Sequence, residues 1–141
     1  MTGEELIRQF EEGEMRAETF HHADHVRLGF EYLCRYPALE ALQRFSEALR
    51  RFTAAQGKAQ RYHETITWAY LLLIRERVAR AGMVLSWEEF AQRNPDLLQW
   101  KEGVLSALYR RETLDSELAR HVFVMPDVMS ERLETSWPAG R

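Results

Sequence analysis

The residues best able to hold a metal or move a proton near neutral pH are five histidines. Three of them crowd into F-H-H-A-D-H-V, which begins at Phe20. On a helix, His22 and His25 stand at i, i+3 and His21 and His25 at i, i+4, so either pair presents two imidazoles to one side. Two imidazoles on one helical face can share an ion, but a third ligand is needed. His63, in R-Y-H-E-T-I-T, is the best third ligand, because it stands at the polar entry of a long apolar run. His121 belongs to no such pattern.

Three neutral imidazoles from His22, His25 and His63 around one divalent ion would leave a coordination position open for water or substrate. Zinc fits that ligand set best, and iron, nickel and copper also accept imidazole. Glu64 is then the natural general base or a fourth ligand. It is turned by about 100° from His63 on a helix, so both reach one site only if one of them sits at the helix boundary. Thr67, one turn below His63, is placed to orient the imidazole, and Tyr62 or Tyr109 to donate a hydrogen bond. The expected activity is that of a metal-dependent enzyme acting on a small molecule. The rival reading needs no metal. In it the histidines with Tyr62, Glu64, Thr67 and Tyr70 form a buried hydrogen-bond network lining a ligand pocket, His63 bonds a core carbonyl, His21 is exposed and His22 caps its helix.

Other motifs carry weaker signals. Glu18-x-x-His21 has the spacing of a di-iron ligand pair, but that chemistry wants two such motifs and further carboxylates on facing helices. Cys34 closes an apolar stripe and reads as a buried, inert thiol. Arg50-Arg51 and Arg110-Arg111 read as solvated helix faces.

The elements that must position these residues are helical. Thr2 to Glu5 is a capping box opening a short helix with Leu6, Ile7 and Phe10 on one face, closed by Gly13. A second helix from His22 to about Arg35 carries Val26, Phe30 and Leu33, with Gly29 allowing a close helix contact. A third follows Pro37, with Leu39, Leu42, Phe45, Leu49 and Phe52 at helical spacing, and stops at Gln56-Gly57-Lys58. The fourth is expected to be central and to run from about Gln60 to Ala81, with Gly82 as its cap; Trp68, Leu71, Leu72 and Ile74 should be among the most buried residues of the whole domain. Ser86 to Glu89 is another capping box, Asn94-Pro95 starts a further turn, and Ser116 caps a last short helix that Pro126 stops. F-V-M-P is the weak strand candidate, and the tail from about Val128 looks irregular, with Trp137 available to pack back. The fold class is all-α, one domain over residues 1–141, a bundle of about four longer helices with shorter pieces behind.

The motifs together resemble a family of small bacterial all-α proteins to which no activity is attached. The resemblance is carried by F-x-H-x-x-H, by G-x(4)-Y-H-E-T-I-T, by Y-x-x-E-x-L (Tyr109, Glu112, Leu114) and by A-R-x-x-F-V-x-P-D (Ala119, Arg120, Phe123, Pro126, Asp127). It spans about residues 6 to 128. It implies His22, His25, His63 and Glu64 as a shared polar set, because His21 falls on the variable position of the first motif.

Composition narrows the partners. The 141 residues carry 19 basic and 22 acidic side chains, a net charge of −3 with both signs interspersed, which argues against nucleic acid as a partner. A single cysteine fits a reducing, cytoplasmic setting. The longest strictly apolar run, Trp68 to Ile74, is far short of the roughly 20 residues that cross a bilayer. A small-molecule substrate or ligand is the expected partner. The sequence leaves open whether the chain forms a homo-oligomer.

Overall fold

The computed structural model describes residues 1–101 and 103–128. The tail expectation beyond residue 128, including Trp137, lies outside them. Among the described residues the protein is all-α, with seven helices and no strand: α1 (Gly3–Glu11), α2 (His22–Arg35), α3 (Ala38–Ala55), α4 (Glu64–Ala81), α5 (Trp87–Arg93), α6 (Arg111–Leu114) and α7 (Glu117–His121). Four 3-10 turns join them, at Ala17–Thr19, Ala59–Arg61, Pro95–Leu98 and Val104–Ala107. F-V-M-P belongs to an irregular segment after α7.

Local chemistry sets the helix ends. Thr2 Oγ1 accepts from the Glu5 amide at 3.1 Å while the Glu5 carboxylate accepts from the Thr2 amide at 3.2 Å. Ser86 and Glu89 repeat this reciprocal cap at α5. At α2 the Asp24 carboxylate accepts the His21 amide at 2.9 Å, so His21 is the capping residue and His22 the first residue inside the helix. Gly82 ends α4 in the left-handed conformation at φ 67°, where a β-carbon would be strained.

The hub of the packing is α2, which contacts α1, α3, α4, α5 and the turn at Pro95–Leu98. The sequence pointed to α4 instead, because α4 carries the longest apolar run. One side of α4 is buried, through Thr65, Leu71 and Ile74, whereas Leu72 is 43% exposed and Trp68 only partly buried. Seven consecutive apolar residues cannot all face one stripe at 3.6 residues per turn. Gly29 does allow the close approach: a β-carbon there would lie 3.0 Å from Leu71 Cδ2 and 3.3 Å from Ile74 Cδ1.

Around this seam one contiguous hydrophobic core takes Leu6, Ile7 and Phe10 from α1, Val26, Phe30 and Leu33 from α2, Phe45 and Leu49 from α3, and Phe90 from α5. Leu39, in the first turn of α3, breaks its stripe at 82% exposed. Cys34 is also exposed, contrary to the buried thiol expected; partial cover of its sulfur and the Glu31 carboxylate push its pKa up. Near the C-terminal end of α4, Arg77 grips both Asp96 carboxylate oxygens at 3.0 and 2.8 Å and the Asn94 side-chain oxygen at 2.8 Å. That clamp fixes the Pro95–Leu98 turn whose backbone meets α2.

Candidate functional site: a histidine-lined cavity

Helices α2, α3 and α4 diverge around a cavity of about 570 Å³, within the ~300–1,000 Å³ usual for small-molecule sites. Its walls are mostly apolar: Phe20 and Val26 on one side, Phe45, Leu49 and Phe52 of α3 on another, Ile66, Leu71 and Ile74 of α4 on the third. His22, His25 and His63 all line it, and so do Tyr62, Thr67 and Tyr70. Five of the expected site residues thus share one cavity with Tyr70. Glu64 does not line it.

His63 stands at the N-terminus of α4 and both of its ring nitrogens are engaged. Nδ1 accepts the Ile66 amide at 3.1 Å, capping the helix, so Nε2 carries the proton and donates to the Leu114 carbonyl at 2.7 Å. Burial, with the Arg120 guanidinium also acting, lowers its pKa and keeps the ring neutral near pH 7. Nε2 of His22 donates to the Leu97 carbonyl at 2.9 Å, and its ring packs on Tyr70 and Trp100 at centroid distances of 5.0 and 5.1 Å. Burial lowers its pKa too.

His25 differs from both. Its ring stacks on Phe20 at a centroid distance of 4.0 Å, and its nitrogens make no hydrogen bond to the described residues. Burial, with His22 adding to the effect, lowers its pKa to about 4, so it presents a neutral imidazole to the cavity.

The expected roles of the neighbours change. Arg50 holds the Glu64 carboxylate through both oxygens at 3.0 Å, and the Tyr62 hydroxyl donates to Oε1 at 2.5 Å. Glu64 is therefore committed to a charge-assisted fork between α3 and α4 and does not line the cavity, as a base or ligand would. Arg50 is half of that ion pair and more than a solvated face. Burial and the Glu64 hydrogen bond push the Tyr62 hydroxyl up to about 12, which keeps it a donor. Thr67 bonds the His63 carbonyl at 2.7 Å and leaves the imidazole alone. Tyr109 lies off the cavity, its hydroxyl donating to the Val124 carbonyl at 2.6 Å. His21 and His121 are exposed, the latter 3.2 Å from Glu117.

These commitments bear on a metal. A neutral imidazole ligates through a lone pair, and His63 has none free in this arrangement. Among the described residues, no three His, Cys, Asp or Glu side chains are arranged to hold an ion. The donor set as placed does not fit the expected three-histidine centre.

Sequence reasoning missed the basic rim. Lys58, Arg61 and Arg120 line the cavity, and no aspartate or glutamate does. Lys58 and Arg61 flank the histidine motif and were legible as cations, but nothing local says which way they face. Arg120 arrives from the far end of the chain, its Nη1 donating to the Gln60 carbonyl at 2.8 Å.

No family model, curated protein or solved structure matches the chain. The described helices include none long and apolar enough to cross a membrane.

Proposed function

We propose that this protein binds a small, largely apolar molecule in the cavity between α2, α3 and α4, without catalysing its conversion. The observation that carries this reading is the state of the histidines within aromatic walls. His22 and His63 spend their Nε2 protons on backbone carbonyls, as structural groups do, while His25 offers an uncommitted neutral imidazole to whatever fills the space. A few convergent polar groups in an apolar concavity is the usual make-up of a ligand site, the polar groups fixing orientation and the walls supplying affinity. The uncharged probe N-phenyl-1-naphthylamine tests it. Saturable binding at one probe per chain is expected, lost in Thr53→Trp, which fills the space beside Phe52 from the α3 side. Binding that survives Thr53→Trp undisturbed overturns the reading.

A metal-dependent enzyme remains the second reading, favoured by one observation: His22, His25 and His63 line the same cavity. It requires His63 to release the Ile66 amide or the Leu114 carbonyl. Metal content of tag-free protein decides it. The ligand-pocket reading expects no stoichiometric transition metal, even after metal is added back. One equivalent of metal, lost in both His25→Ala and His63→Ala and kept in His21→Ala, replaces that reading with the metal centre.

A further inference from the structure

The basic rim says more about the ligand than the cavity alone. The chain as a whole is acidic, 22 carboxylates against 19 basic groups. The cavity lining reverses that balance, with three cations and no carboxylate. Its cations are gathered at one place, the 3-10 turn Ala59–Arg61. The Arg61 amide bonds the Lys58 carbonyl at 2.9 Å, which sets those two side chains one tight turn apart. The Arg120 guanidinium is fixed to the Gln60 carbonyl between them. Lys58 and Arg61 are exposed and Arg120 is half-buried, so they mark an opening of the cavity, while Phe45 and Leu49 of its lining are buried.

None of the three cations is neutralised by an ion pair among the described residues. Glu64, the acidic residue closest in sequence to the turn, is withdrawn by Arg50 and Tyr62. Its carboxylate is committed to that fork and does not line the cavity. Asp115 acts on His63 only weakly and does not line the cavity.

We infer that the ligand is a small amphipathic anion, its anionic headgroup held by Lys58, Arg61 and Arg120 at the Ala59–Arg61 turn and its apolar body lying between α3 and α4. The inference rests on the ligand-pocket reading above. Guanidinium groups suit a carboxylate or phosphate headgroup, and a low-dielectric wall beside them strengthens the attraction. An uncharged apolar molecule of the same shape gains nothing from the turn.

Octanoate and 1-octanol separate the two statements, because they share the apolar body and differ in the charge of the headgroup. Calorimetric titration of each into the full chain at pH 7.5 and low salt should give octanoate an affinity about tenfold higher, the size expected from a few partly exposed charge contacts. The preference should shrink as sodium chloride is raised toward physiological strength. Lys58→Gln combined with Arg61→Gln should bring octanoate down to the affinity of octanol. A thermal melt matching the parent checks that this exposed double variant is folded. Arg120→Lys, which keeps the charge and loses the guanidinium bond to the Gln60 carbonyl, is expected to retain part of the preference. Equal affinities for the two probes in the parent overturn the anion inference and leave the pocket standing. A preference that survives the double variant overturns it as well. Binding of neither probe overturns both readings.

Discussion

Among the histidines, His25 is the one whose protonation equilibrium is displaced furthest. Its folded pKa of about 4 lies below the 6.5 of a free histidine side chain, which an unfolded chain would show. The unfolded state therefore binds more protons between those values, and stability present above pH 6.5 is lost as the pH falls toward 4. His22 and His63 are shifted in the same direction and add to the effect. At pH 5 the His25 contribution is about 2 kcal/mol less than at pH 7.5. Urea unfolding at those two pH values should show that loss in the parent and a clearly smaller one in His25→Gln. An identical loss in both would mean that His25 is not the group titrating. The Glu64 fork is a second residue-scale device. Glu64→Gln should cost about 1–2 kcal/mol in the same assay, since the carboxamide oxygen can still accept from Tyr62 but the charge and one of the two acceptors facing Arg50 are lost. A Glu64→Gln variant as stable as the parent would show the fork to be energetically idle.

At the scale of elements, the seam between α2 and α4 separates residues that the sequence could not tell apart. Leu71 and Leu72 are neighbours in the same apolar run, 2% and 43% exposed. Leu71→Ala should cost about 2–5 kcal/mol, and Leu72→Ala about 0.5 kcal/mol or less. Equal costs in denaturant titration would contradict this orientation of α4. What was legible in the chain was local: the Thr2–Glu5 and Ser86–Glu89 boxes, the left-handed Gly82 and the start of α2 at His22 all depend on residues within one turn. Gly29 was legible too, as an apolar stripe with one side chain missing. The site was legible in part, because His22, His25, His63, Tyr62 and Thr67 follow from helix boundaries and spacing. The direction of Glu64 was not, since it is decided by Arg50 on another helix. Nor was the burial of α4, because its face is chosen by α2. The rim depended on Arg120, whose partner Gln60 is remote in sequence.

Over the whole molecule, the segment after α7 is fastened back onto the helical body by the same motif that builds the cavity. Thr65 is fully buried; its hydroxyl donates to the Val122 carbonyl at 2.9 Å and accepts the Val124 amide at 3.0 Å. Phe123, between them, stacks on Trp68 at 5.5 Å, and Tyr109 holds the Val124 carbonyl. Further along, Asp127 accepts the Arg110 amide at 2.9 Å and the Thr113 hydroxyl. His63, two residues before Thr65, binds Leu114 of α6, so the cavity wall and the C-terminal segment share one anchor. Thr65→Val keeps the shape and removes both hydrogen bonds, leaving a carbonyl and an amide without their partner. It should cost about 1–3 kcal/mol. The effect should also be local before it is global: amide exchange at Val124 should accelerate more than at Leu71, because the segment can lift away while the α2–α4 seam stays packed. Tyr109→Phe removes the other tie to Val124 and should accelerate the same amide. Together the two changes should cost more or less than the sum of the single ones, since both act on one segment. Val124 exchange that is unchanged in Thr65→Val would show that the segment is held by the Trp68–Phe123 contact instead.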